Sequence, residues 1–159
     1  MPREQRSPTF AAMAAQAKIT RSDSDQWDLA FFKRHLDDDP DESEPGRQYL
    51  REVPSSVEAH MRAVVVQVAA APPDKFAGGG YWEAMHGEMT GYFEVRKRYR
   101  GHHYRLFCLL DRDSAETKPL LTILCGLTKP DRTVFSSADY AGVRELGDEY
   151  LSRNPRSIT

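Results

Sequence analysis

Residues 94–105, EVRKRYRGHHYR, set five cationic side chains (Arg96, Lys97, Arg98, Arg100 and Arg105) against one acid, Glu94. Arg105 is the most informative of them. Its neighbours Tyr104, Leu106, Phe107, Leu109 and Leu110 read as a strand of aromatic and aliphatic residues, where an unpaired guanidinium would be costly. Either Arg105 has a carboxylate partner, or its strand face opens onto a site where a cation is wanted. The preceding strand permits both. Side chains alternate along it, so Phe93, Val95 and Lys97 point one way while Tyr92, Glu94, Arg96 and Arg98 point the other. Groups suited to proton transfer are close in sequence: His86, Tyr99, His102 and His103. An imidazole titrates in the right range for general acid–base work, although a histidine pair at a hairpin tip is also common in a solvated turn.

Those residues need elements to position them. QWDLAFF, residues 26–32, alternates Trp27, Leu29 and Phe31 against polar or small residues and reads as a strand with that trio inward. Residues 45–53 read as a short helix ending at Pro54. Ser55 and Glu58 have capping-box spacing ahead of Val57, Met61, Val64, Val65 and Val68, which recur at helical intervals up to Pro72. The glycine run 78–80 lacks the Lys-Ser/Thr of a phosphate-binding loop and reads as a connector. Three period-two segments follow, at about 90–99, 103–111 and 119–127, with Gly101 suited to the first turn. Short links make them an antiparallel meander. Ser136 or Ser137 caps a last helix with Tyr140, Val143, Leu146 and Tyr150 on one face. The expected order is β-α-α-β-β-β-α, an α+β fold.

The 159 residues suit one core, with 40% hydrophobic and 29% charged residues. Residues 1–24 read as a disordered or loosely attached arm and 25–159 as the folded domain. The loop DDDPDESE, residues 37–44, holds six carboxylates and is expected to be a solvated, mobile insertion. With a net charge of −2 the chain is not a strongly basic nucleic-acid binder overall, but its charge is segregated. No segment has the pattern of a signal peptide or a membrane span, so a cytoplasmic location is expected. Cys108 and Cys125 lie within strands, without a CxxC or a Cys/His cluster, and read as reduced core thiols; no metal site is expected.

MTGYFEVRKR (89–98), HYRLFCLLD (103–111), LLTILCGLTKPDRT (120–133) and the closing helix together resemble the RelE/HigB family of bacterial toxins, particularly its phage-derived subgroup. The similarity spans about residues 26–152. It rests on an aromatic-Glu-aliphatic-Arg strand, a Tyr-Arg-aliphatic-aromatic strand and a Lys-containing loop before the last helix.

The resemblance implies a small twisted antiparallel sheet with helices packed on one face and a concave opposite face that engages RNA. It implies a metal-independent and cofactor-free mRNA endoribonuclease working on translating ribosomes, held inactive by a cognate helix-turn-helix antitoxin. By the same resemblance Arg105 holds the scissile phosphate, Arg96 is its neighbour, and Lys129 supplies a further cation from the loop, with Arg132 the alternate occupant. Lys97, Arg98, Arg100, His102 and His103 would contact RNA, and His86 or Tyr99 would move the proton. Two other readings share the scaffold. One is a ParE-like inhibitor that binds gyrase, and the other is a prophage interaction domain whose arginines are structural.

Overall fold

The computed structural model describes residues 26–71, 73 and 80–159. The arm at 1–24 and most of the glycine connector therefore lie outside the described residues. Strand β1 (Asp28–Phe31) leads through the acidic loop to helices α1 (Pro45–Glu52) and α2 (Ser55–Ala69). Then come a short strand β2 (Trp82–Ala84), a single 3₁₀ turn (Gly87–Met89), strands β3 (Tyr92–Tyr99), β4 (His102–Asp111) and β5 (Leu120–Pro130), and helix α3 (Ser137–Leu151).

The sheet order is β1-β5-β4-β3-β2. The β2-β3-β4-β5 part is antiparallel, while β1 adds in parallel beside the first half of β5, pairing Asp28 to Leu120 and Phe31 to Ile123. The sheet is thus mixed, with one strand more than the meander expected from sequence. Trp82-Glu83-Ala84 is too short for its period to be legible.

Helices cover both faces, which corrects the expectation of one covered face. Val57, Met61, Val64 and Val68 of α2 and Leu50 of α1 pack with Val95, Leu106, Cys108, Leu121 and Ile123. On the other side, Val143 and Tyr150 of α3 pack with Tyr92, Phe107, Leu109, Leu124 and Cys125. Strands buried on both faces lose clean polar alternation, which is why β4 runs buried from Tyr104 to Leu109. Cys108 and Cys125 are buried free thiols, and burial pushes the Cys125 thiol up to about 12.

The helix ends differ from one another. Ser136 caps α3, its Oγ accepting from Asp139 N at 3.0 Å while the Asp139 carboxylate accepts from Ser136 N at 2.8 Å. The box expected at Ser55 and Glu58 does not form, because Pro54 occupies the cap and Ser55 is already helical. Glu58 instead pairs with Arg62 one turn on. Ala30 of β1 and Phe32 just after it are buried and Leu29 is 39% exposed, so the inward trio expected there is wrong at Leu29.

The C-terminal segment returns to the free side of β1. Phe31 and Thr159 exchange both backbone hydrogen bonds at 2.9 Å, and Phe32 bridges Ile158. Arg156 Nε donates to Asp111 Oδ2 at 2.8 Å, Tyr150 Oη donates to the same oxygen at 2.6 Å, and Thr122 Oγ1 lies 2.8 Å from Tyr150 Oη. Buried polar groups persist only when satisfied in this way. The acidic loop is exposed over most of its length, as expected of a solvated insertion, and also makes specific contacts. Asp39 accepts from Asp41 N, Ser43 N and Ser43 Oγ, Asp38 accepts from Arg153, and Glu44 accepts from Arg47 and Thr159. Like charges in this loop are separated by finding different partners.

Candidate functional site

The β3–β4 hairpin turns on Arg100 and Gly101, both with positive φ (47° and 78°), a two-residue turn whose twist matches that of the strands. That turn fixes register: Arg96 stands opposite Arg105, Arg98 opposite His103, and Tyr99 opposite His102. Across β4, Arg105 meets Leu127 and His103 meets Lys129. Arg96, Arg98, His103, Arg105 and Lys129 therefore share the face that α3 packs on, beyond the point where its first turn ends.

Lys129 reaches this face through a bulge. The β4–β5 register shifts between Phe107 and Cys108, leaving Leu124 as the extra residue between Ile123 and Cys125. Ile123 faces α2, but Leu124 and Cys125 both join the α3 side. Gly126 then lies against the Tyr49 ring on the α1 side, and Leu127 and Lys129 point toward α3. Lys129 lies on β5 itself rather than in the following loop, where the resemblance set it. Its Nζ donates to Thr133 O at 2.6 Å and stands 5.5 Å above the Phe135 ring.

Arg105 is 7% exposed and is not unpaired. Its Nε lies 3.8 Å from Glu94 Oε2, and its Nη1 donates to Tyr104 O at 3.2 Å. Arg96 shares the same carboxylate, with Nε 3.5 Å from Glu94 Oε1, and its Nη1 donates to Glu83 Oε2 at 3.1 Å. Burial pushes the Glu94 carboxyl above its usual range despite both arginines, and burial together with the Arg96 charge lowers Arg105. Tyr140 of α3, in edge contact with Phe107 at 6.3 Å, completes this end of the face. Burial, followed by the Glu94 charge, raises its phenol.

One rung further, Asp131 accepts from Arg98 Nη2 at 2.6 Å and Nε at 3.1 Å and lies 2.8 Å from His103 Nε2. The His103 pKa is lowered, by desolvation and then by the Lys129 charge, against the opposing pull of Asp131. Glu94, the arginine rung and His103 thus stand in line along the hairpin, each separated by one pleat repeat of roughly 6.7 Å.

Other residues expected at a site fall elsewhere. Lys97, Tyr99 and His102 are on the opposite face, where Tyr99 packs against the α2 core and His102 contacts the Tyr104 ring. Arg100 is in the turn, with its guanidinium over Tyr99. Arg132, with φ 64°, is exposed after β5. His86 is exposed ahead of the 3₁₀ turn, beside a pocket that Tyr140 also lines. In the sequence Glu94 is marked only as an ion-pair partner and Tyr140 only as a residue of the last helix. The signal for Glu94 was its parity with Arg96, while nothing local marks Tyr140.

Among the described residues no group of three or more His, Cys, Asp or Glu side chains is placed to hold a metal ion, and no helix is long and apolar enough to cross a membrane. No protein-family model matches this sequence, and no curated protein or solved structure matches it.

Proposed function

We propose that this protein is a metal-independent endoribonuclease acting on mRNA, the toxin of a toxin–antitoxin pair, neutralised by a cognate DNA-binding antitoxin. The observation that carries the reading is the Arg96–Arg105 rung, with a carboxylate of raised pKa on one side of it and an imidazole on the other. Arg105, Arg96 and Lys129 would bind the scissile phosphate and neutralise charge as the phosphorane forms. Glu94 would take the proton from the 2′-hydroxyl, whose oxygen then attacks phosphorus. His103, in its protonated form, would give a proton to the departing 5′-oxygen, leaving a 2′,3′-cyclic phosphate and a 5′-hydroxyl. A base and an acid on opposite sides of the bound phosphate suit in-line displacement, and a carboxylate whose pKa is raised is a better base. Ribosomal action and antitoxin control rest on the resemblance to RelE/HigB toxins.

The second reading, a domain whose arginines are structural, draws on the fact that Glu94, Glu83 and Asp131 already pair with Arg105, Arg96 and Arg98. Induced expression separates the two. Growth arrest, relieved by Arg105→Ala and accompanied by new RNA 5′ ends mapped by primer extension, is expected of the nuclease. Normal growth with confirmed soluble protein overturns that reading.

A further inference from the structure

Beside the arginine rung lies a pocket of about 410 Å³ bounded by Met85, Met89 and Tyr140 with Glu88, Arg144 and His86. That is within the range of small-molecule sites, roughly 300–1,000 Å³. Its place is fixed by Met85 N, which donates to Tyr92 O at 2.9 Å. Met85 therefore sits beside Tyr92, one pleat of roughly 6.7 Å along β3 from Glu94. Tyr140 belongs to both regions, touching the pocket and feeling the charges of Glu94, Arg105 and Arg96.

The polar groups in this pocket are poorly matched to each other. Arg144 Nη1 donates to the thioether of Met89 at 3.4 Å, a weak acceptor, and Nη2 is 3.6 Å from Glu88 Oε2. The Glu88 side chain is 81% exposed. A guanidinium and a carboxylate thus stand at one pocket with capacity to spare, between two thioethers and a phenol ring.

Building on the nuclease reading, we infer that this pocket receives an extruded RNA base and selects guanine. Two thioethers and a phenol ring suit a base taken out of a single strand, since single-stranded RNA is read by stacking and by hydrogen bonds to unpaired base edges. Guanine presents O6 and N7 as paired acceptors, the pattern a guanidinium fork matches. It also presents N1–H and N2–H₂ as donors, which a carboxylate accepts. Adenine can meet each group only once, N7 accepting from the guanidinium and N6–H₂ donating to the carboxylate, and pyrimidines lack N7. A nucleotide whose phosphate rests on Arg105 and Arg96 can direct its base along β3 into this pocket.

The test is calorimetric titration of the full chain with guanosine, adenosine and uridine 3′-monophosphates, inorganic phosphate and guanosine. Guanosine monophosphate is expected to bind roughly ten-fold or more tightly than the other nucleotides. Arg144→Ala, and the surface variant Glu88→Ala, should abolish that preference while leaving inorganic phosphate affinity unchanged, whereas Arg105→Ala should weaken every phosphate ligand. Equal binding of the three nucleotides, unaltered in both pocket variants, overturns the base pocket even where Arg105→Ala still weakens phosphate. If phosphate binding ignores Arg105→Ala, the nuclease reading fails. Guanosine then decides the pocket separately: binding lost in Glu88→Ala supports it, and no binding rejects it.

Discussion

Arg96 and Arg105 face each other across the β3–β4 ladder, and the two oxygens of Glu94 lie 3.5 Å and 3.8 Å from their respective Nε atoms. Two like charges in direct opposition repel. Here one carboxylate of raised pKa is shared between them, an arrangement that leaves both guanidinium groups with donors for a second anion. Arg105 is therefore paired with a carboxylate, the first of the two alternatives that its place in the sequence posed.

Arg105→Ala should reduce RNA cleavage by about 100- to 1,000-fold, the usual cost of removing one preorganised donor to a transition-state oxyanion. Glu94 keeps Arg96, so the fold should survive with a loss of about 1–3 kcal/mol. Arg105→Lys should restore stability more fully than rate, because an ammonium lacks the planar fork. Thermal denaturation and cleavage assays on one preparation check both.

Glu94→Gln should fold normally and lose cleavage. In the unmodified protein the acidic limb of the pH–rate profile should lie above the ordinary carboxylate range of about 4.3, because burial raises this carboxyl. The sign for stability is opposite to that of a paired surface acid. A folded-state pKa above the unfolded value means that ionised Glu94 costs stability at neutral pH, a cost relieved as pH falls through the folded pKa. Glu94→Gln should thus hold or raise the melting temperature at pH 7, and a clear fall would show the carboxylate to be structural.

Lys129→Ala should weaken RNA binding with little effect on melting temperature. Loss of one phosphate contact should reduce the salt slope of single-strand affinity by about 0.7. An unchanged slope in a fluorescence titration would remove Lys129 from the interface.

Asp111 is the anchor of the C-terminal segment. Burial works to raise its pKa, but hydrogen bonds from Arg156 and Tyr150 outweigh that and leave it lowered. Its contribution is therefore present at pH values above the unfolded pKa, about 3.9, and lost as pH falls through the lower folded value. Asp111→Ala should cost about 3–5 kcal/mol at neutral pH by stranding Arg156, and the variant should show a flatter acid-denaturation profile below about pH 4.

Gly147→Ala should destabilise by about 1–3 kcal/mol through overpacking, since an added Cβ would lie 2.1 Å from Tyr92 Oη and 2.8 Å from its Cζ. Tyr92→Phe in the same chain should recover part of the loss by removing the nearer atom. Chemical denaturation of the single and double variants tests this.

Much of the scaffold follows from local chemistry. The positive-φ preference of Gly101 sets the hairpin turn, and alternation along β3 puts Glu94 and Arg96 on one face. Ser136 and Asp139 start α3, and the period of Val57, Met61, Val64 and Val68 buries α2. Each of these depends on residues a few positions apart, so the sequence by itself determines them. Other outcomes depend on distant partners. The parallel pairing of β1 with β5 joins segments about ninety residues apart, and α3 packs on the second face, where Gly147 lies close against the Tyr92 ring. The acidic loop is tied by Arg34, whose Nη1 lies 3.9 Å from Asp39 Oδ2, and by Arg47 and Arg153. Lys129 shows the difference most plainly. Simple alternation from Ile123 would put it on the α2 side, away from Arg105. The extra residue at Leu124 reverses that parity, and a bulge is visible only in the register of two paired strands, not in either strand alone. The sequence by itself determined that this protein carries a cationic hairpin, whereas the tertiary structure decided which cations share a face and which carboxylates stand between them.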